Sequence, residues 1–261
     1  MTQVNGQCRL AARPVGLPKA TDWEYIEDSA PEPADGQFLV RVDYLSLDPA
    51  MRAWMNPGRS YIPPVEIGEV MRAAGIGTVV DSRHPGFSQG DCVQGVFGAQ
   101  RYALSDGKGV TPVDTDLAPP PVHLGVLGIS GLTAYFGLLN VGRPEPGQTV
   151  VVSGAAGSVG SVAGQIARIK GARAIGIAGG PEKCEWLVDE LGFDGAIDYK
   201  AGDTRAQLRE HAPEGVDVFF DNVGGTVLDD VLTRLARGAR IVICGAISQY
   251  NATEAPRGPA H

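Results

Sequence analysis

The sequence predicts an α/β protein in two parts: a partly open β-barrel over residues 1–121 and a doubly wound parallel sheet over residues 122–261. Three observations predict it. Short strand-like runs, broken by glycine and proline, crowd the first part. In the second, β-branched runs alternate with apolar-periodic helical segments. Between them stands Ala118-Pro119-Pro120-Pro121, which reads as a stiff connector.

The runs of the first part are Gln37–Val42, Gly77–Val80, Asp91–Phe97 and Gln100–Leu104. Short β segments at this spacing suit a barrel better than βα units. Among them lie two loop stretches, Tyr44 to Arg52 and Ser60 to Pro64. Loops held by a scaffold are where a site tends to be carried, although a half-buried packing tyrosine is the alternative reading of Tyr61. After the prolines, Leu124–Asn140 is apolar, rich in small residues and helical near its end. Strands follow at Thr149–Ser153, Arg173–Ala178, Gly195–Asp198, Val216–Asp221 and Ala239–Cys244, with helices from near Ser158, Pro181, Asp203 and Gly225. This order implies parallel strands joined by right-handed crossovers.

The chemistry is concentrated at the first of those strands. Val150-Val151-Val152-Ser153 feeds Gly154-Ala155-Ala156-Gly157-Ser158-Val159-Gly160, which opens into a helix. Strand, glycine turn and helix are the setting of a dinucleotide fingerprint. There glycine lets the backbone approach a pyrophosphate, and the N–H groups of the helix start hold its charge. Here alanine replaces the first glycine of the register, with Gly154 beside it. About 20 residues further on, an acid that binds the ribose 2′-hydroxyl is expected. That place holds Gly180, with Lys183 just after. Nothing there repels a 2′-phosphate and a cation attracts it, so NADPH is expected over NADH. A solvated lysine is the other reading of Lys183, but a first-turn lysine opposes the helix dipole.

Composition narrows the rest. At 261 residues the chain can bury a real core, and 43% hydrophobic with 20% charged residues is the balance of a soluble globular protein. A net charge of −8 disfavours nucleic-acid or anionic-membrane partners. No apolar run approaches a membrane span, and no secretory signal is visible. Cys8, Cys92, Cys184 and Cys244 form no CxxC pair and read as reduced thiols of a cytoplasmic protein. His84 and His123 lack cysteine partners at ligand spacing, so no metal is expected. The dinucleotide fold has six strands and only five are found, so the chain is expected to be truncated before the last one.

The chain resembles the zinc-independent double-bond reductases of the medium-chain dehydrogenase/reductase superfamily, in the group of curcumin and prostaglandin/alkenal reductases. The resemblance rests on Leu45-Ser46-Leu47-Asp48-Pro49-Ala50-Met51-Arg52, Gly131-Leu132-Thr133-Ala134-Tyr135, Ala155 to Gly160, Gly179 to Cys184, Leu191 to Asp194, Asp221 to Gly225 and Cys244 to Asn251. It implies a GroES-like first domain, a Rossmann second domain, and NADPH-dependent reduction of a carbon–carbon double bond conjugated to a carbonyl. By that likeness Ala156, Gly157, Ser158, Val159 and Gly160 carry the pyrophosphate, with Gly180, Lys183 and Tyr199 near the 2′-phosphate. Thr133, Asn222, Cys244, Gly245, Ser248 and Tyr250 line the remaining cofactor. Tyr199 closing a strand and Asn222 satisfying a turn are the structural alternatives.

Donors expected at the substrate carbonyl are Tyr61, Tyr250 and the cofactor's own ribose hydroxyl; Arg52 either adds charge there or forms a structural ion pair. Relatives often carry tyrosine at Ala50 and proline at Ser130, which puts substrate range in doubt more than reaction type. A small enone or alkenal is the implied substrate, and a homodimer is implied once the C-terminal part is present. A quinone reductase, or a cofactor-binding remnant without turnover, is the competing reading.

Overall fold

A computed structural model describes residues 3–58, 61–254 and 258. Ser60, of the expected loop Ser60 to Pro64, lies outside the described residues. Residues 1–125 and 126–261 form two compact units.

The first unit is antiparallel. Strands β1 (Val4–Leu10) and β2 (Trp23–Ser29) pair with each other. A five-stranded sheet contains β3 (Phe38–Leu45), β4 (Ala74–Ser82), β5 (Cys92–Val96), β6 (Tyr102–Ser105) and β7 (Thr111–Pro112), in the order β6-β3-β4-β5-β7. Its core is Phe38, Val40, Val79, Val93, Phe97 and Ala103. A second cluster, Leu10, Met55, Val65 and Met71, seats the short helix α1 (Ala50–Trp54). The expected loop from Tyr44 to Arg52 is thus partly strand and partly helix.

The proline run is not a free connector. Pro120–Leu124 forms a short helix, α2, that packs against β3 and β4, and His123 Nε2 lies 2.9 Å from the Asp114 carbonyl. Proline suits a first helical turn, where its missing N–H has no partner to lose. The division between the units therefore falls after Gly125, not at Pro121.

The second unit begins with α3 (Ile129–Phe136), continued by a π-helical turn over Gly137–Gly142. Five parallel strands follow: β8 (Thr149–Ser153), β9 (Arg173–Ala178), β10 (Gly195–Asp198), β11 (Val216–Asp221) and β12 (Leu235–Ile243). Helices α4 (Ser158–Ile169), α5 (Pro181–Asp189), α6 (Thr204–His211) and α7 (Gly225–Leu232) alternate with them. The order β10-β9-β8-β11-β12 reverses direction at β8, the switch point where open α/β sheets bind ligands. Val150, Val152, Val218 and Phe220 face one core, while Val151 and Phe219 face the other. Burial on both faces is why these strands read as unbroken apolar runs.

Candidate active site

The turn after β8 is built by two glycines with different tasks. Gly154 sits at φ +58°, in the left-handed region, and so makes the sharp bend itself. Ala155 is then free to bury its methyl group completely, which explains why alanine stands there. Gly160 is required for closeness: a Cβ would stand 2.4 Å from the Gly154 carbonyl oxygen and 2.8 Å from the Ala155 Cα. Ala155 N–H donates to the Ile177 carbonyl at 3.1 Å and Gly157 N–H to the Gly154 carbonyl at 2.9 Å. Gly157 caps α4 without a side-chain bond, so the first N–H groups of the helix point outward for an acceptor. Gly157 and Ser158 are exposed, Ala156 and Val159 half-buried. On α3, the buried Ser130 hydroxyl is hydrogen-bonded to the Ser158 hydroxyl, Oγ to Oγ 3.2 Å. Thr133 lies half-buried one turn further along the same helix.

At the end of β9, Gly180 takes φ +104° and starts α5. The Tyr199 ring lies over Gly179, where a Cβ would meet it at 2.8 Å. Lys183 is exposed and has no ion-pair partner among the described residues. Two groups here escaped sequence reasoning. Lys200 places its ammonium 5.9 Å from the Tyr199 ring centroid, a second cation beside the first turn of α5. Asp198 accepts from the Gly180 and Lys200 N–H groups, both at 2.9 Å, and these bonds hold its carboxyl below the ordinary carboxylate range.

At the switch point, the ends of β8, β11 and β12 are tied to one buried residue, Asp221, through its carboxylate and its main-chain carbonyl. Ser153 Oγ accepts from the Asn222 N–H at 2.9 Å, so its proton goes to Asp221 Oδ1 at 2.7 Å. Asp221 Oδ1 also accepts from Val223 N–H at 2.9 Å and Gly224 N–H at 3.0 Å, and Oδ2 from Gly224 N–H at 3.1 Å. Its main-chain carbonyl takes the N–H groups of Cys244 and Gly245 at 2.9 and 3.1 Å. Every partner is a donor, which suits an ionised carboxylate. Neither Ser153 nor Asp221 was singled out in the sequence, because 68 residues separate them.

The rim residues have defined partners too. Asn222 Nδ2 donates to the Ser153 carbonyl at 2.7 Å, and Ser248 Oγ donates to the Val223 carbonyl at 2.6 Å. The Tyr250 hydroxyl accepts from Ala246 N–H at 3.2 Å, which leaves its own proton to donate. Gly245 lies beneath that hydroxyl, where a Cβ would meet it at 3.1 Å. Burial, then the charge of Asp221, pushes the Cys244 thiol up from its ordinary value. That disfavours a nucleophilic role for the sulfur.

In the first unit, Tyr61 is 77% exposed and its hydroxyl accepts from Trp54 Nε1 at 3.1 Å. Arg72 stands 5.6 Å from the Trp54 ring centroid and donates to the Pro63 carbonyl at 2.9 Å. Arg52 donates to the carbonyls of Pro14 and Gly16 at 3.2 and 3.0 Å and to Asn56 Oδ1 at 2.6 Å. These bonds hold the 14–16 segment against α1. No three His, Cys, Asp or Glu side chains among the described residues are grouped to hold a metal, and no helix among them is long and apolar enough to cross a membrane.

Two family models match the chain: one described as the N-terminal domain of oxidoreductase over residues 6–113, and one described as zinc-binding dehydrogenase over residues 158–259. The NADPH-dependent curcumin reductase of Escherichia coli (strain K12) is 46% identical over 257 residues, covering 98% of this chain and 74% of that protein. Prostaglandin reductase 1 of Mus musculus is 40% identical over 250 residues, covering 94% and 74%. The crystal structure of CurA from Vibrio vulnificus in complex with NADPH superposes with a TM-score of 0.93 at 48% identity, over 97% of this chain and 75% of that one.

Proposed function

This chain belongs to the curcumin reductase and prostaglandin reductase group of zinc-independent medium-chain dehydrogenases/reductases, and on that premise we propose how its residues carry the reaction. It is an NADPH-dependent reductase of carbon–carbon double bonds conjugated to a carbonyl. When bound, NADPH supplies the hydride. The observation that carries the cofactor reading is the turn at Gly154–Gly160, where a side chain at position 160 would collide with the backbone and the start of α4 is uncapped.

The residues fit NADPH in three places. Ala156 to Gly160 present N–H groups to the pyrophosphate. Lys183 and Lys200, beside Tyr199 and Gly180, attract the 2′-phosphate, and the nearby carboxylate of Asp198 is already engaged by two N–H groups. Thr133, Asn222 and the run Cys244 to Tyr250 form the wall for the nicotinamide half. Asn222 belongs to that wall through its backbone, because its amide holds the Ser153 carbonyl.

Addition of hydride at the β-carbon of an enone builds negative charge on the carbonyl oxygen, and donors fixed at that oxygen lower the barrier. On the second unit Tyr250 is the donor, since it accepts one hydrogen bond and keeps its proton; on the first unit Tyr61 likewise keeps a proton to give. Arg52 acts by holding α1, the helix that presents Trp54 to Tyr61. The substrate is a small enone or alkenal, and the four free thiols suit a cytoplasmic setting. The reading is tested by fluorescence titration with NADPH and NADH, followed by a linear enone and, in parallel, a quinone. NADPH binding tighter than NADH, with oxidation on adding the enone, is expected; oxidation by the quinone alone would overturn the substrate assignment. Tyr61→Phe should lower kcat about 10- to 100-fold at unchanged NADPH affinity, and an unchanged kcat would remove Tyr61 from the reaction.

A further inference from the structure

The contact between Ser130 and Ser158 joins the first turns of two helices. Their hydroxyls are 3.2 Å apart, within hydrogen-bond reach of each other. Beyond that contact, Leu132 and Tyr135 of α3 share an apolar groove of about 370 Å³ with Val162, Ile166 and Ile169 of α4. Antiparallel helices touching at their first turns would diverge from there. The shared groove therefore means that α3 and α4 run the same way and bring their N-termini together. Neither helix has a side-chain cap. Ser130 is held firmly, because it is 9% exposed and the neighbouring Gly131 lies so close to the Val126 carbonyl that no Cβ fits there.

A serine hydroxyl has one proton and two acceptor lone pairs. If Ser158 used its proton on Ser130, it could only accept, and would repel a phosphate oxygen. With Ser130 as the donor, the Ser158 oxygen is satisfied and its proton points elsewhere. Ser158 is the exposed member of the pair, in the turn that fits a pyrophosphate.

We propose that Ser130 is a positioning residue for cofactor binding: by donating to the Ser158 hydroxyl, it keeps the Ser158 proton for a phosphate oxygen of NADPH. The proposal rests on reading the 156–160 turn as the pyrophosphate seat. Ser130 touches no cofactor atom in this scheme and acts through Ser158 alone. It serves the part common to NADPH and NADH, so it sets affinity without setting the choice between them.

The test is NADPH and NADH titration, by nicotinamide fluorescence, of the full chain and of Ser130→Ala, Ser158→Ala, the double variant and Ser130→Thr. Ser130→Ala should bind both cofactors about fivefold more weakly, the effect of one neutral hydrogen bond. It should add nothing in the Ser158→Ala background and leave kcat at saturating NADPH unchanged. Ser130→Thr, which keeps the hydroxyl, should restore affinity. Wild-type affinity in Ser130→Ala, or equal weakening with and without Ser158, would overturn the proposal. Should Ser158→Ala itself bind like wild type, the proposal fails, while the pyrophosphate reading of the turn, which rests on its N–H groups, stands.

Discussion

Replacing Asp221 tests whether one buried carboxylate holds the switch point together. Asp221 is 1% exposed and receives the Ser153 hydroxyl and the Val223 and Gly224 N–H groups. In Asp221→Asn, the retained Oδ1 keeps all three donors. Only the Gly224 bond to Oδ2, at 3.1 Å, becomes a donor facing a donor. One unsatisfied buried group costs about 1–3 kcal/mol, so the asparagine variant should lose about 1–2 kcal/mol. Asp221→Ala strands all three donors at once. Some relief comes from removing a buried charge, so the loss should be about 3–5 kcal/mol. Urea denaturation measures both variants, and NADPH titration follows each. Affinity should fall in the same order, because the loop Asn222–Gly225 loses its side-chain anchor, while the run from Cys244 keeps the Asp221 main-chain carbonyl. A loss below about 1 kcal/mol for alanine would refute the reasoning. So would a large loss of stability with wild-type NADPH affinity.

Three further outcomes follow from the same geometry. Gly160→Ala puts a methyl 2.4 Å from the Gly154 carbonyl oxygen, against backbone that cannot rotate away; calorimetry should show a loss of about 1–3 kcal/mol, and NADPH titration a weaker complex. Lys183→Glu should weaken NADPH by about tenfold or more while leaving NADH nearly unchanged, with Lys200→Glu acting in the same direction; equal weakening of both cofactors would remove these lysines from the 2′-phosphate. The Asp198 carboxyl lies below its ordinary value of 3.8 in the folded protein, so it stabilises the fold above that pH and the contribution fades as pH falls through the folded value. Melting temperatures of wild type and Asp198→Asn should differ at neutral pH and converge in strong acid.

The parallel sheet was legible because its chemistry is local. Val150, Val151 and Val152 are all buried, and a strand covered on both faces needs no alternation to be recognised. The observed bounds at Thr149–Ser153, Arg173–Ala178, Gly195–Asp198 and Val216–Asp221 are those expected from such runs. The first unit gave weaker signals. The mostly exposed, acidic run Trp23–Ser29 is a strand only because Val4–Leu10 pairs with it along its length. The last strand starts earlier than expected, at Leu235, since Leu235 pairs with Val216 before an irregular stretch through Arg237 and Gly238, and the regular register resumes at Arg240. In the site, the glycine turn is written in consecutive residues. The Ser153–Asp221, Ser130–Ser158 and Lys200–Tyr199 contacts are set by side-chain directions that spacing does not encode.

The ties among the ends of β8, β11 and β12 are complete without a cofactor. One wall of the crevice is therefore rigid before binding, and little conformational entropy is lost there when a ligand arrives. The adenosine side is different, since Lys183, Tyr199 and Lys200 are exposed and must settle on a phosphate from many rotamers. Cofactor fragments should divide along that line: an adenosine 2′-phosphate fragment bound with an unfavourable entropy, a nicotinamide mononucleotide fragment with almost none. On the proposed assignment of residues, the stiff half would set where the nicotinamide rests, and the supple half how long the cofactor stays.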